Sequence, residues 1–596
     1  MTHRIANESA LSELERRVVE AVDDEEPWAL LERFADLERV SGSDDEVVAA
    51  EYIVDRLEAF GVEYDRYDPE LYISQPHAAS VSGVDRDFEA SFVKTVSFAA
   101  DATVTGPVEY VGSAGPSFLD DPDPDETQSE PYADVGDLAG TVALTAAGSL
   151  SIRATRTLED KGAEAVVAIH QHEREPHNGI ATPIWGGVPE LGEQHLIPDI
   201  PIVHVTKPDG AQLREWAESD DGVTVEVSTD LTTDWFACPL VVAEIEPPDA
   251  DTDEFVLLHA HYDSWDVGIT DNATGDAGLL ELARVLDGHA DELRRGLRIA
   301  WWPGHSTGRY AGSTWYADTF GLDLARNCVA HVNMDSPGTK DATEYTDMSC
   351  WTPEAHDLVT DAIDDVTGAP AQERFPFRAG DYSFDNLGIT GFFMLSSNIP
   401  AAVRDQRGYH TVGGCGGNSD AWHLSTDTLD KAGREELVRD ICVYAVSLLR
   451  VLTADVLPFD HARNAAKIHS TVRRYDDAAG EHVDFSPTLQ ALDRLGTKID
   501  EFETAVSAGD VPPTVANRTI TDLSRVLTRL NLVRAGRFEQ DPAVSRQPVP
   551  RYAPAEQFDT GALDADERRF LTRQLQREQN SVVYELERAL ESLPTA

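Results

Sequence analysis

Lysine is scarce, with only Lys94, Lys161, Lys207, Lys340, Lys431, Lys467 and Lys498 in 596 residues. The basic charge is therefore almost all arginine, and 48 basic residues face 108 acidic ones for a formal net charge of −60. A field of that sign repels phosphate, so nucleic acid and anionic membranes are excluded as partners. Cysteine is nearly as rare: Cys238, Cys328, Cys350, Cys415 and Cys442 lie scattered with no Cys-x-x-Cys pair. That excludes a disulfide framework, and Cys328 and Cys442 fall in apolar segments as small core residues. No apolar run approaches the roughly 20 residues that a membrane-spanning helix needs. Met1 to Leu14 lacks a basic-then-apolar leader pattern, so a cytoplasmic location is expected.

What is present begins with enough apolar residue, 41%, to build real cores. The length predicts two to four domains. Acidic residues recur throughout, as in 23–26, 120–126 and 361–365. So much like charge destabilises a compact chain at low ionic strength and is screened in molar salt, which predicts a halophilic setting.

Helical spacing dominates from about Leu11 to Phe60, Gly61 stops the last helix, and Val62 to Tyr67 reads as a strand. From about Asp101 the texture turns to short β-runs with Gly and Pro turns. Val104 to Gly112 reads as a hairpin-like piece. Leu138 to Leu144, Gly162 to Ile169 and Ile200 to Val205 read as further elements of this stretch. His170, His172 and His177 lie inside it; a metal role is open to them, but the polar connection favours loop histidines. Alternating strands and helices resume at Trp235, and after Leu457 the pattern is mainly helical: Arg463 to Tyr475, Leu489 to Ala505, Thr519 to Val533 and Asp564 to Leu593.

The chemistry collects at strand ends. Phe255 to Leu258 is an apolar run short enough for a buried strand, and His261 and Asp263 follow it one residue apart. Asp271 and Asn272 come next, ahead of a helical pattern from Ala277 to Leu286. Strand ends leading into helices are where open α/β sheets bind ligands. An imidazole and a carboxylate there suit a divalent metal, with Asp263 holding the imidazole from behind. Leu297 to Trp302 runs into a turn carrying His305 and Ser306, and the strand His331 to Met334 ends at Asp335. His423 stands four residues before Asp427, at an expected helix start.

This set resembles the co-catalytic zinc exopeptidases of the aminopeptidase and glutamate carboxypeptidase II family, in the branch that includes the transferrin receptor. The stretch 101–232 resembles the protease-associated insert of such peptidases, through Gly162-Ala163-Glu164-Ala165-Val166-Val167 and Ile200-Pro201-Ile202-Val203. The resemblance implies an α/β/α sandwich with a mixed sheet, formed by 1–100 with 233–455, a β-rich insert over 101–232, and a helical, dimerisation-like domain over 456–596. It implies zinc or another divalent metal, one firm site and room for a second. His261 matches the first ligand, Asp263 its carboxylate partner, Asp271 the bridging carboxylate, Asp335 the other ligand of the first metal, and His423 the terminal histidine. His410 competes for that last place, and the following Asp427-Thr428 favours His423.

One departure stands out. The family carries two adjacent glutamates, a general base and then a metal ligand, where this chain has His305 and Ser306. A serine hydroxyl is a poor replacement for a carboxylate ligand, whereas imidazole serves as base or ligand near neutral pH. Three readings follow: His305 as base beside one metal, His305 as ligand of a second metal with Asp271 and His423, or a site that has lost its chemistry. The survival of four ligands favours a working site. The expectation is a metal-dependent hydrolase of peptide or other small amide bonds, in which activated water attacks a carbonyl, working as a homodimer. The alternatives are a binding or assembly protein, or a non-peptidase enzyme, on the same scaffold. Gly391 to Leu395 reads as an apolar substrate loop without an arginine cluster, with Arg378 and Arg404 nearby in sequence.

Overall fold

A computed structural model describes residues 5–594 apart from 114–131, 133, 147–151, 348, 377, 410–414 and 545. Among the described residues the main strands form two seven-stranded sheets. The first runs, edge to edge, through Glu63–Tyr67, Leu240–Ile245, Gly296–Trp302, Phe255–His261, Cys328–Asn333, Thr390–Met394 and Cys350–Trp351. Its centre is parallel: Phe255–His261 lies between Gly296–Trp302 and Cys328–Asn333, and the outer pairings are antiparallel. This is the mixed α/β sheet that the sequence predicts.

The apolar run at Phe255 forms the middle strand because both of its faces are covered, and every residue from Phe255 to His261 is buried. Alternation sorts its side chains between two cores. Val256, Leu258 and Ala260 join the larger core with Leu279, Leu282 and Leu286 of the helix Thr274–Asp287. Phe255 and Leu257 join the other with Tyr316 and Leu324 of the helix Ala311–Asn327. Buried on both sides, the strand delivers its C-terminal residues to the top edge of the sheet.

The second sheet contains Glu70–Gly83, Thr224–Ala237, Thr103–Gly112, Val142–Thr145, Ala165–Ile169, Ile202–Val205 and Val93–Thr95, in that spatial order. It takes in strands that precede residue 101, because Glu70–Gly83 pairs along its length with Thr224–Ala237. The segment expected as a hairpin is one continuous strand, Thr103–Gly112. It pairs antiparallel with Thr224–Ala237 and parallel with Val142–Thr145, and the Gly106-Pro107 dipeptide that suggested a turn sits within it.

The C-terminal region is helical, as expected: His461–Ala479, Ser486–Ser507, Pro513–Leu532 and Ala565–Ser592. Ala491, Leu492, Leu495, Ile499 and Phe502 are a buried stripe at helical spacing. Arg525 ties this region to the first sheet. Buried, its guanidinium donates to the carbonyls of Leu324, Ala325, Cys328 and Gly388.

Candidate metal centre

His261 is the last residue of the central strand and is 1% exposed. Its Nδ1 donates to the carbonyl of Asp263 at 3.0 Å, with a carboxylate oxygen of Asp263 at 3.6 Å. Nε2 is thereby left as the free lone pair. It lies 3.3 Å from Asp271 Oδ1 and 3.9 Å from Asp335 Oδ1, and makes no hydrogen bond among the described residues. The other oxygen of Asp271 is 3.1 Å from Nε2 of His423, so this carboxylate spans two imidazoles.

The loops that carry these groups are interlocked. Asp427 accepts from Thr270 N and Oγ1 and from Asp271 N, which aims the Asp271 loop. Asn272 donates to the Met334 carbonyl and accepts from Ser336 N, tying the Asp271 and Asp335 loops together. Arg39, fully buried, donates to the carbonyls of Tyr262, Val267 and Gly268. Asp263 grips the third loop: its oxygens accept from His305 N at 3.0 Å, Ser306 N at 2.8 Å and Ser41 Oγ at 3.0 Å. The carboxylate expected to hold His261 thus holds the His305–Ser306 turn as well.

His305 lies face to face with His261, ring centroids 3.7 Å apart and planes 14° off parallel. Its Nδ1 is 2.8 Å from Asp381 Oδ2, and Asp381 is itself buried and accepts from Ser313 Oγ at 2.7 Å. An Nδ1–H donated to Asp381 leaves Nε2 as the basic nitrogen. The Tyr310 ring meets His305 edge-on at 4.8 Å and packs at a tilt against Trp185, which comes from the second-sheet region.

Electrostatics follow from this crowding. Burial works to lower the pKa of His261, but the Asp263, Asp271 and Asp335 carboxylates carry it well above its ordinary value. Burial likewise opposes ionisation of Asp271, and the His261 and His423 imidazoles overcome it, holding the carboxyl well below its usual range. Asp335 is raised by burial, with the negative charge of Asp271 adding to it. A site that draws a proton this strongly onto His261 is one that a cation can take over.

The donor set decides whether a metal fits. Among the described residues, His261, Asp271 and Asp335 form a group whose donor atoms all lie within 4.8 Å of one another. One unpartnered buried imidazole nitrogen with two carboxylate oxygens is a set that zinc-like ions accept. The residues fit a divalent ion.

The structure brings His261, Asp263, Asp271, Asp335, His305 and His423 together, and His410 lies outside the described residues. Three details differ from expectation. His423 sits in a turn with a positive φ of 57° rather than at a helix start; the next long helix begins at Arg434. The expected substrate loop is the strand Thr390–Met394 of the first sheet, with Phe392 and Leu395 buried; an apolar run beside a glycine fits an inner strand equally well. Arg378 is occupied by the Tyr382 carbonyl and lies 3.7 Å over the Trp185 ring, while Arg404 pairs with Asp347 at 3.1 Å. Arg39, Ser41, Asn272 and Asp381 escape sequence reading, since each acts across long separations.

Residues 241–441 match the model of Peptidase family M28. A probable glutamate carboxypeptidase of Zea mays is 24% identical over 242 residues, 37% of this chain and 32% of that protein. Leucine aminopeptidase 2 of Trichophyton equinum is 28% identical over 168 residues, 27% of this chain and 31% of that protein. The chain thus spans about a third of the length of these relatives. In fold it is similar to an aminopeptidase from Aneurinibacillus sp. strain AM-1, with a TM-score of 0.54 at 21% identity over 73% of this chain and 96% of that one. A zinc aminopeptidase from Bacillus subtilis aligns with a TM-score of 0.52 at 16% identity, over 72% of this chain and 94% of that one. The fold is that of an M28-like α/β protein. The likeness to M28 peptidases is one of sequence over 241–441 and of fold.

Proposed function

We propose that the protein is a metal-dependent hydrolase of peptide or other small amide bonds. One observation carries the reading: His261, Asp271 and Asp335 converge, with His423 on the far oxygen of Asp271. These four residues would hold zinc or another divalent ion, which supplies Lewis-acid polarisation when bound. His305 is the proton carrier. Asp381 fixes Nδ1 as the donor nitrogen, so Nε2 takes the proton from the attacking water and passes it to the departing amine. The Asp381 contact suits a base and a ligand equally, since both use Nε2; what favours the base is that His305 is not in the group of close donors among the described residues. Asp263 acts behind both groups, orienting His261 and the His305 turn.

The test combines metal analysis of protein purified in molar salt with a screen of amide libraries. A bound stoichiometric divalent ion and turnover of any amide support the reading; metal-free protein that stays inert after metal is added would sink it. The net charge of −60 supports a halophilic setting; equal melting temperatures in molar and millimolar salt would refute that. We also propose that the second sheet is a protease-associated insert and that the helices from His461 onward mediate a twofold dimer. A monomer by sedimentation in high salt would overturn the dimer.

A further inference from the structure

Beside the candidate centre lies a second group of imidazoles that this function does not use. His170 and His172 follow the strand Ala165–Ile169, His177 lies further along the same connection, and His204 sits opposite Ala168 on the neighbouring parallel strand. The ring centroids are 4.3 Å apart for His170 and His177, 5.0 Å for His170 and His172, 5.0 Å for His172 and His177, and 6.1 Å for His170 and His204. His170, His177 and His204 are buried.

Their polar atoms are incompletely satisfied. Nδ1 of His204 donates to the His177 carbonyl at 2.9 Å, which leaves Nε2 as a lone pair. That Nε2 is buried and has no hydrogen-bond partner among the described residues, and the same holds for Nε2 of His170. Nδ1 of His170 accepts from the His172 amide at 3.2 Å, so Nε2 carries the proton and the ring must change tautomer to offer a lone pair there. A core that needed only bulk would be filled by apolar side chains; unpaired buried nitrogens weaken it. Burial, with the neighbouring imidazoles adding to it, pushes the His170 pKa down to about 2. Burial also depresses His177 and His204. Neutral imidazole is the form that binds metal.

We propose that His170, His172, His177 and His204 bind a borderline transition-metal ion (Zn²⁺, Ni²⁺ or Cu²⁺), separate from the centre at Asp271. All-imidazole donors suit those ions and disfavour Mg²⁺ or Ca²⁺, which prefer oxygen. In the structure the nitrogens are not yet gathered: the set with three donors within 4.8 Å among the described residues is the one at Asp271. Capture therefore requires ring rotation about χ2, a broad torsion for histidine. The cluster adjoins the candidate centre, since the His177 ring lies 5.3 Å from Trp422 and 6.2 Å from His423.

The test uses tag-free, chelator-stripped full-length protein in molar salt, with Zn²⁺ or Co²⁺ added alone and bound metal measured by equilibrium dialysis. The variant His261→Ala/Asp335→Ala removes two ligands of the first centre. It should still bind one ion per chain. Adding His172→Gln, at a partly exposed position, should weaken that ion at least about tenfold, and adding His170→Ala with His204→Ala should abolish it. Adding Asp271→Ala instead should leave it unchanged. The proposal is overturned if the starting variant binds no ion, if His172→Gln leaves the affinity unchanged, or if the residual ion depends on Asp271. Circular dichroism reports whether each variant is folded, and the His172→Gln arm stands even if the buried substitutions fail to fold.

Discussion

His261 and His170 are both buried imidazoles, yet the protein moves their proton affinities in opposite directions. His261 has three carboxylates around it and is carried well above the ordinary histidine value; His170 has other imidazoles around it and falls to about 2. Depth alone does not determine a buried histidine's charge; the company of carboxylates does. One cluster is built to attract positive charge, as a proton or a cation. The other keeps protons out and holds its nitrogens neutral.

The severest way to break this comparison is to remove the acidic company. His261→Ala and Asp335→Ala should each abolish ion binding at the first centre and take amide turnover below detection, read by metal analysis beside an activity assay. Full metal content at that centre in both variants would overturn the assignment.

A smaller effect is expected one step behind. His305→Ala should keep the ion and lose roughly 10²–10⁴ in rate, the usual worth of a positioned proton carrier. Asp381→Asn should cost roughly 10–100-fold, as for other carboxylates that orient an imidazole. If His305→Ala sheds the ion along with activity, His305 is a ligand.

The pH dependence of metal-free protein separates the clusters by sign. His170, His177 and His204 have folded pKa values below the unfolded value near 6.5, so the unfolded chain takes up protons that the fold refuses. Their contribution is intact above about 6.5 and is lost as pH falls, at up to about 1.4 kcal/mol per pH unit for each residue. His261 behaves in the opposite sense: its raised folded pKa gives stability that is full below about 6.5 and lost as pH rises through the folded value. Replacing His204 with Gln should flatten the acidic arm of a melting-temperature profile. An unchanged acidic arm would show that these histidines titrate normally.

The smallest effect sharpens the comparison. Without metal, His172→Gln should shift stability by no more than about 0.5 kcal/mol, as for a partly exposed residue outside the core. It should also leave the first centre's ion in place, as metal analysis would show.

Much of this was legible in the sequence because strands announce their ends. The run Phe255 to Leu258 is apolar enough to fix a buried strand, and the residues after it fall at the sheet edge where ligands collect. His261, Asp271 and Asp335 stand out in this way, whereas His423 follows from the likeness to the zinc exopeptidases. Asp381 was not, since it reaches His305 from 76 residues away through a loop with no periodic pattern. The grouping of His204 with His170 was hidden for the same reason: pairing of two parallel strands brings them together, and no spacing along the chain reports it. The hairpin expected at Val104 fails because Gly106-Pro107 lies inside one paired strand.

The grip of Asp263 on the main-chain amides of His305 and Ser306 has a consequence for how such a site changes over time. Because the hold is on backbone rather than on side chains, it does not depend on which side chains stand at the two positions. The turn works as a socket: its shape is set from beneath, and the groups plugged into it can be swapped without redrawing the rest. A carboxylate pair and a histidine–serine pair are then two fittings for one mount, and a lineage could exchange them while its other ligands stayed in place.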